Sequence, residues 1–252
     1  MRLSIIIPYL NSHEIVRRNL VYIREQDYPD DVEIVFLDDG SDPPLEMPAD
    51  PPKNFTLYAT NEFRKWTWAP ARNKGAKLAK GEYLFMVDGD YIISREAVEI
   101  ARQFDSDRLG VRRVFGVLTE ECELSTDPNI LVQYGLLPDL AYRQKKFIPP
   151  HPNQFVIRKS VFEMMGGYDE VRTFAHEYPQ REDNDFKRRL RRLVDQGTIQ
   201  MPDVERPVLY MYPNGQFCGD VDHNPFGLFH GLTRKTDRNH WYQHPRYKKA
   251  ET

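Results

Sequence analysis

Residues 82–90 have the sequence EYLFMVDGD, in which an unbroken apolar run ends at two aspartates, Asp88 and Asp90. An unbroken run of this length, as opposed to an alternating one, is typical of a strand that is buried on both faces of a parallel sheet. Residues 3–7 and 33–37 are similar runs, apolar except for Ser4 and Glu33. The three runs therefore predict a parallel sheet whose central strands are buried.

The segments between these runs predict the helices that connect parallel strands. Strands that alternate with helices along a chain indicate an α/β fold with helices on the faces of the sheet. The predicted strands are residues 3–7, 33–37, 55–58, 82–87, 114–118, 154–157 and 208–212. The predicted helices are one capped by Asn11 and Ser12, residues 70–79, one capped by Ser94 that runs through Phe104, residues 160–165 and residues 182–195.

The composition indicates a folded protein with no general attraction to nucleic acid. Hydrophobic residues make up 40% of the 252 residues and the formal net charge is -3, so a core can form and no basic excess favours a polyanion. Only two cysteines are present, Cys122 and Cys218, which are too few for a disulfide framework or a zinc site. The apolar run that stops at Pro8 is too short for a signal peptide, and no segment approaches the length of a membrane span. We therefore expect a cytoplasmic protein without a transmembrane segment.

Two acidic clusters, Asp38-Asp39 and Asp88-Gly89-Asp90, each follow a predicted strand. They are expected at the edge of the sheet where α/β proteins bind ligands. Asp88 and Asp90 have one glycine between them, so both carboxylates can reach one divalent cation such as Mg²⁺ or Mn²⁺. Such a cation stabilises a diphosphate leaving group as a Lewis acid. Asp38 and Asp39 can accept hydrogen bonds from a nucleobase or a ribose. Both clusters are also good turn sequences, so the residues alone leave a purely structural role open.

A basic residue lies near the start of the predicted helix between the two clusters. Arg72 follows shortly after Pro70, which suits the first turn of a helix. The positive end of a helix and a guanidinium together suit a diphosphate or a base carbonyl. A solvent-exposed arginine without a ligand is the alternative.

These features occur in an order that resembles a known family. The residues that carry the resemblance are Ser4-Ile5-Ile6-Ile7-Pro8-Tyr9, Asp38-Asp39-Gly40-Ser41, Ala71-Arg72-Asn73-Lys74-Gly75 and Lys80-Gly81-Glu82-Tyr83, which leads into Asp88-Gly89-Asp90. Together they resemble the family 2 glycosyltransferases of the GT-A fold, over the amino-terminal part of the chain. The resemblance implies a Rossmann-like α/β fold with a mostly parallel sheet flanked by helices, an acceptor-binding second half and a carboxyl-terminal tail.

The resemblance assigns roles to five residues on the donor side. It implies that Asp39 faces the nucleobase, that Pro8 and Arg72 contact the donor, and that Asp90 binds the metal. Asp88 is implied at the ribose or at the metal. The donor is then a nucleotide-sugar, with a UDP-sugar favoured, and the cofactor is Mn²⁺ or Mg²⁺.

A second set of residues resembles the acceptor side of this family and of galactosyltransferase-like relatives. These residues are Phe155-Val156-Ile157-Arg158-Lys159, Gly166-Gly167-Tyr168-Asp169-Glu170 and Arg181-Glu182-Asp183-Asn184-Asp185-Phe186. The resemblance implies Asp183 as the catalytic base and Glu182 as an acceptor contact. Without the resemblance, acids in the first turn of a helix are explained by its macrodipole alone.

Histidines in the carboxyl-terminal tail are candidates for a further metal ligand. Relatives with this acceptor motif supply a later histidine to the metal, which the resemblance places at His230 or, as the second choice, at His223. A neutral imidazole suits Mn²⁺ as a ligand. A histidine on the surface with no ligand is the alternative.

The helix predicted over residues 182–195 also carries a run of basic residues, which are Lys187, Arg188, Arg189, Arg191 and Arg192. We interpret most of this run as a solvated face, because the helix dipole favours cations toward the carboxyl end. An acidic acceptor or a membrane surface is the alternative partner for these charges.

We expect three parts of the chain to have separate tasks. Residues 1–105 are predicted to bind the nucleotide-sugar, residues 106–218 the acceptor, and residues 219–252 to form a tail that can close over the donor site. The predicted function is metal-dependent, inverting transfer of a hexose-type sugar from a UDP-sugar to the hydroxyl of a glycan, a protein or a lipid-linked acceptor.

Two other functions stay open at this point. One is a nucleotide-sugar-binding or glycan-binding protein without turnover, and the other is a nucleotidyltransferase of similar topology. A nucleotidyltransferase normally has a glycine-rich loop after the first strand to hold a triphosphate. Residues 8–12 have the sequence PYLNS, without glycine, which argues against that alternative.

Overall fold

The computed structural model describes residues 1–10, 12–41, 43–61, 68–133, 150–171 and 182–212. The strands are β1 Leu3–Tyr9, β2 Val32–Asp38, β3 Phe55–Ala59, β4 Tyr83–Met86, β5 Tyr91–Ile93, β6 Arg108–Gly110, β7 Arg112–Phe115, β8 Val117–Leu118, β9 Leu124–Ser125, β10 Phe155–Arg158 and β11 Val208–Met211. The helices are α1 His13–Gln26, α2 Trp68–Leu78, α3 Arg95–Gln103, α4 Pro128–Gln133, α5 Lys159–Met164 and α6 Glu182–Asp195.

A six-stranded sheet forms the centre of the molecule, in the strand order β3-β2-β1-β4-β10-β6. Strands β3, β2, β1 and β4 are parallel to one another, whereas β10 runs antiparallel to both β4 and β6. A smaller sheet has the order β5-β11-β7. The predicted mostly parallel sheet is confirmed, and residues 1–105 and 106–218 both contribute strands to it.

The strand order creates a crevice at one edge of the central sheet. The chain goes from β1 outward to β2 and β3, and then returns to the other side of β1 with β4. Such a reversal opens a crevice at the carboxyl ends of the strands, because the adjacent connections leave on opposite faces of the sheet. The acidic clusters after β2 and β4 therefore lie at the same edge, on either side of β1.

Alternate residues of the central sheet face two separate hydrophobic cores. Along β1, Ile5 and Ile7 belong to the core that is covered by α1, α3 and the smaller sheet. Ile6 belongs to the opposite core, which α2, α5 and α6 cover. All three side chains are at most 1% exposed. Burial on both faces explains why these strands are mainly apolar and do not alternate between apolar and polar residues.

One predicted strand is divided in the structure. Residues 114–118 are predicted as a single strand, but they belong to β7 and β8, with a break at Gly116. A Cβ at Gly116 would lie 2.8 Å from the Cβ of Tyr210, so β11 approaches the chain too closely for a side chain there. The sequence also fails to predict β5, β6, β9 and α4, which are too short to produce a recognisable period.

The caps predicted for two helices, α1 and α3, have different outcomes. Ser12 occupies the N-cap position of α1, but its hydroxyl donates to the Leu10 carbonyl at 2.8 Å and makes no capping hydrogen bond. Asn11 lies outside the described residues. The predicted cap Ser94 is confirmed, because its side chain accepts a hydrogen bond from the backbone N–H of Ala97.

The helices are short, and the longest described ones, α1 and α6, have 14 residues each. Within the described ranges, no helix is both long and apolar enough to cross a bilayer. Cys122 is a buried free thiol, and Cys218 lies outside the described residues.

Candidate active site

Asp38 ends β2 and Asp39 follows it, and the two carboxylates have different surroundings. Asp38 accepts hydrogen bonds from the backbone N–H groups of Ser41, at 2.8 Å, and Leu45, at 2.9 Å, so its carboxylate closes the turn. Asp39 is 2% exposed and accepts a hydrogen bond from the Thr60 hydroxyl at 3.1 Å. The structural role that the sequence left open is therefore found at Asp38, and Asp39 stays the candidate for a donor contact.

Asp88 follows β4 and lies between two side chains from other elements. The Arg72 guanidinium on α2 donates to one carboxylate oxygen, and the side-chain amide of Gln154 donates to the other. The Arg72 side chain is only 3% exposed, so the alternative of a solvent-exposed arginine is wrong. Its guanidinium also lies over the ring of Tyr168, 5.7 Å from the centroid. A positive charge is thus held in a fixed position at the crevice, where it suits a diphosphate.

The glycine between Asp88 and Asp90 allows the chain ends of β1 and β4 to approach each other. A Cβ at Gly89 would lie 2.7 Å from the ring of Tyr9 and 3.0 Å from the Pro8 carbonyl oxygen. Pro8 is buried within β1 and contributes backbone to this edge. Asp90 is 6% exposed, and its carbonyl accepts a hydrogen bond from the residue that follows β11. Close packing of three strand ends therefore positions the acidic loop.

His151 connects the predicted donor side with the predicted acceptor side. Its Nδ1 atom lies 3.7 Å from Oδ2 of Asp88, and its Nε2 atom lies 3.9 Å from Oδ2 of Asp183. Burial lowers the pKa of the His151 imidazole below its ordinary value, against the effect of the Asp88 carboxylate, which raises it. The ring is therefore mainly neutral near pH 7, with one nitrogen that donates and one that accepts.

His151 and Gln154 are site residues that the sequence does not predict. Both precede β10, and this strand runs antiparallel to β4 with Phe155 opposite Met86. An antiparallel strand brings its amino end to the edge where the parallel strands have their carboxyl ends, so the residues before β10 reach the crevice. The mostly polar residues 151–154, which precede the apolar run of β10, are the signal that could have identified them, but only if the direction of that strand were known.

Asp183 lies in the first turn of α6, and 16% of its side chain is exposed. Two residues later, Asp185 pairs with Arg189 at 2.8 Å. Arg189 also donates to the carbonyl oxygens of Met165 and Gly167, at 2.7 Å each. Arg189 thus fixes α6 to the turn after α5 and is the exception in a basic run whose other four residues are exposed, in agreement with the predicted solvated face. The same anchoring holds the helix turn that carries Asp183.

Asn73 connects the helix that carries Arg72 to the glycine-containing turn of the acceptor side. Its side-chain amide donates to the Tyr168 carbonyl at 2.9 Å, and its side-chain oxygen accepts from the Tyr168 backbone N–H at 2.9 Å. Gly167 has a φ of +62°, and a Cβ there would lie 2.5 Å from the Asn73 side-chain oxygen. The turn therefore requires glycine at this position both for its backbone conformation and for the close approach of Asn73.

Two adjacent glycines allow these two requirements to be separated by mutation. Gly166 has a φ of +73°, but a Cβ there would meet nothing within 4 Å. We expect Gly166→Ala to lower the free energy of unfolding by about 1–2 kcal/mol, which is the cost of a left-handed backbone for a residue with a Cβ. We expect Gly167→Ala to lower it by about 2–4 kcal/mol, because the overlap with Asn73 adds to that cost.

The measurement is urea denaturation of both variants and the wild type. Equal losses in the two variants would show that the contact with Asn73 contributes nothing at this turn.

The two aspartates of the loop after β4 provide part of a candidate metal site. Asp88 and Asp90 offer carboxylate oxygens, which Mg²⁺ and Mn²⁺ prefer. Among the described residues, no group of three or more His, Cys, Asp or Glu side chains is arranged to hold a metal ion. His230, His223 and the side chain of Glu182 lie outside the described part of the chain. The carboxylate chemistry of the two aspartates fits a divalent cation, and the described residues supply no third ligand beside them.

Comparison with proteins of known sequence gives partial matches to glycosyltransferases. A poly(ribitol-phosphate) beta-glucosyltransferase of Bacillus spizizenii is 34% identical over 102 residues, which are 39% of this chain and 16% of that protein. Glycosyltransferase GlyG of Streptococcus pneumoniae is 28% identical over 103 residues, which are 40% of this chain and 34% of that protein. The chain thus spans well under half the length of these relatives.

A solved structure is similar to the fold of this chain, and a family model matches its sequence. The crystal structure of S. aureus TarS superimposes with a TM-score of 0.52 and 19% identity, over 88% of this chain and 38% of that one. This likeness confirms the GT-A arrangement of the central sheet. The model of the family described as Glycosyl transferase family 2 matches residues 4–163, which include β1 to β4, β10 and both acidic clusters. Since this match extends over more than half of the residues, the chain belongs to glycosyl transferase family 2.

Proposed function

We propose that the chain is a metal-dependent, inverting glycosyltransferase that moves a hexose from a UDP-sugar to an acceptor hydroxyl. The observation that carries this proposal is the position of His151, which lies 3.7 Å from Asp88 and 3.9 Å from Asp183. A single imidazole thus spans the two sides that a transferase must bring together. Membership of the family supports transfer as the reaction, and the names of two relatives, a beta-glucosyltransferase and a beta-N-acetylglucosaminyltransferase, support a hexose.

The donor would bind in the crevice between β1 and β4. Asp39 would accept hydrogen bonds from the nucleobase, and the backbone at Pro8 would border the nucleoside. The Arg72 guanidinium lies next to Asp88 at the same edge, where it would hold the diphosphate. The topological switch at β1 supports this position, because open α/β sheets bind their ligands there.

Mn²⁺ or Mg²⁺ would be held by Asp90, with Asp88 nearby and His230 as the first choice, or His223 as the second choice, for a ligand from the tail. When bound, the cation supplies Lewis-acid stabilisation of the negative charge on the departing diphosphate. The residues of the chain then have to orient the acceptor, remove its proton and exclude water.

The proposed catalytic step is a direct displacement. The Asp183 carboxylate takes the proton of the acceptor hydroxyl, while that oxygen bonds to the anomeric carbon and the bond from this carbon to the diphosphate oxygen breaks. The products are a glycoside of inverted configuration, UDP and a protonated Asp183. Glu182 would bind the acceptor, for which a glycan, a protein and a lipid-linked molecule are the proposed classes. The neutral His151 ring, beside both Asp88 and Asp183, would orient the base.

A panel of nucleotide-sugars tests the proposed function. We expect UDP-hexoses with Mn²⁺ to raise the melting temperature of the protein and to release UDP slowly by hydrolysis, because water can take the place of the acceptor. The measurements are thermal shift and chromatography of released nucleotide, with GDP-mannose and UTP as comparison ligands.

Each alternative function has its own outcome in this panel. Stabilisation by UDP-hexoses without any release of UDP would indicate a binding protein without turnover. Release of pyrophosphate from UTP in the presence of a sugar phosphate would indicate a nucleotidyltransferase. Either result would contradict the proposal.

A further inference from the structure

A cavity of about 570 Å³ lies beside His151, on the acceptor side of the crevice. It is bordered by the segment before β10, the beginning of β6, one face of α6 and residues 201–206. Both His151 and Gln154 line it, so the cavity shares its wall with two of the side chains that contact Asp88. The cavity therefore adjoins the candidate active site through His151 and Gln154.

The face of α6 that lines the cavity also carries the candidate base. Lys187, Leu190, Arg191 and Val194 follow Asp183 by 4, 7, 8 and 11 positions, which is the spacing of one helix face. At a rise of about 1.5 Å per residue, Lys187 lies about 6 Å and Arg191 about 12 Å along the helix from Asp183. A molecule that presents a hydroxyl to Asp183 would therefore extend along this face into the cavity.

The lining of the cavity has more positive than negative charge. Its cationic residues are Arg108, Lys187, Arg191 and Arg206, and its acidic residues are Asp195 and Asp203. Arg206 pairs with Asp203 at 3.0 Å, and Arg191 lies 3.9 Å from Asp195. Within the described part of the chain, neither Arg108 nor Lys187 has an ion pair, so two positive charges are left without a compensating carboxylate.

Arg108 is the least hydrated of these cations. Its Nε atom is buried and has no hydrogen-bond partner among the described residues, and its guanidinium lies over the ring of Phe155, 5.0 Å from the centroid. Burial lowers the pKa of Arg108 to about 10, which still leaves it charged near pH 7. A partly desolvated guanidinium is destabilising unless an anion reaches it, and its fork geometry suits a carboxylate or a phosphate.

Gln154 adds a hydrogen-bond acceptor to the cavity wall, whereas the cations are donors. It is 1% exposed, and its side-chain amide donates to Asp88, whereas its side-chain oxygen is buried and accepts no hydrogen bond within the described residues. This oxygen requires a donor, and an alcohol hydroxyl is such a donor. The cavity wall thus combines a hydrogen-bond acceptor for a hydroxyl, on Gln154, with cations for an anion on β6 and α6.

We propose that this cavity binds an anionic group, a phosphate or a carboxylate, that the acceptor carries next to the hydroxyl it presents to Asp183. The acceptor is then a charged polyol or sugar, in which Arg108 and Lys187 hold the anion and thereby set the position of the reacting hydroxyl. This inference rests on the proposed function, since it takes Asp183 as the base. It also gives Lys187, from the basic run on α6, a role in binding the acceptor. Arg189 of the same run has a different role, because it anchors the helix.

Binding of small charged polyols to the full chain tests the inference. The probes are glycerol 3-phosphate, glycerate and glycerol, titrated at constant ionic strength in the presence of UDP and Mn²⁺. We expect glycerol 3-phosphate or glycerate, but not glycerol, to bind, and the stronger of the two identifies the anion. Arg108→Met and Lys187→Gln should each weaken that binding about tenfold, because each removes a charged hydrogen-bond donor.

Arg192→Gln is the matched control, since Arg192 is an exposed cation of the same helix outside the cavity lining. It should change the affinity for the anion less than twofold. Equal weakening in all three variants, or equal binding of glycerol and its charged derivatives, would overturn the inference. Lys187 is exposed, so its variant tests the proposal even if Arg108→Met fails to fold.

UDP titration separates this inference from the proposed function. Normal UDP binding and UDP-hexose hydrolysis without any binding of the charged polyols would overturn the inference alone. Binding of the charged polyols that depends on Arg108, in a protein that never releases UDP from any UDP-hexose, would contradict the proposed function but support the anion site.

Discussion

Replacement of Asp183 by asparagine is expected to lower sugar transfer by about 10²–10⁴-fold, which is the usual contribution of a general base. Asparagine keeps the shape of the side chain and can still form hydrogen bonds, but it cannot take the proton of the acceptor hydroxyl. Donor affinity and the melting temperature should stay near those of the wild type, because α6 is anchored by Arg189 and not by Asp183. The measurement is single-turnover transfer at saturating donor and acceptor, alongside UDP titration.

Glu163→Gln is a control for this variant, because it too replaces a carboxylate by an amide, but on α5 and at an exposed position outside the candidate site. It should transfer sugar at the wild-type rate. If Asp183→Asn is as active as this control, Asp183 only stabilises the first turn of α6 and the base is another residue. Glu182→Gln should raise the acceptor concentration needed for half-maximal rate more than it lowers the maximal rate, because Glu182 is proposed to bind and not to accept the proton.

Removal of divalent metal is expected to lower the affinity for UDP at least about tenfold, because a cation held by the aspartates would offset their charge repulsion with the diphosphate. Asp90→Asn should produce a loss of similar size in Mn²⁺, because the amide is a much weaker ligand than a carboxylate. In EDTA the variant should bind UDP nearly as the wild type does. The measurement is calorimetric titration of UDP into the wild type and the variant, in Mn²⁺ and in EDTA. The four affinities form a thermodynamic cycle that gives the coupling between Asp90 and the metal.

The same titration identifies the ligand from the tail. His230→Ala should weaken UDP binding only in the presence of Mn²⁺, and His240→Ala, a nearby histidine of the same tail, should have no effect. A loss in His223→Ala instead of His230→Ala would move the ligand to the second choice. Equal affinity of the wild type for UDP in EDTA and in Mn²⁺ would remove the metal from the proposed site altogether.

The surroundings of the loop aspartates indicate why Asp90→Asn and Asp183→Asn should have different effects. Asp88 is surrounded by Arg72, Gln154 and His151, which come from α2 and from the segment before β10. Asp90 lies deeper, at the junction of β1, β4 and the end of β11. A change at the metal is thus expected to alter donor affinity, whereas a change at Asp183 is expected to alter the rate after both substrates have bound.

The sequence by itself determined the buried sheet and the positions of the acidic clusters. Strands that are buried on both faces are mainly apolar, so the runs at residues 3–7, 33–37 and 82–87 could be recognised locally. The amphipathic helix over residues 182–195 was predicted with the bounds that α6 has, because its apolar period and the glycine that follows it are local signals. The cytoplasmic location, the three-part division of the chain and the roles of the site residues stay predictions.

Only the tertiary structure decided which polar residues meet at the crevice. His151 and Gln154 reach Asp88 because β10 runs antiparallel to β4, and strand direction is set by packing and not by any local pattern. Arg72 is buried against Asp88 and Tyr168, although its local sequence equally suits a solvated helix start. Asn73 and Gly167 belong to motifs that are far apart in the chain, yet the left-handed turn at Gly167 brings its backbone against the Asn73 side chain. Contacts of this kind depend on the relative positions of whole elements, which periodicity and residue type leave undetermined.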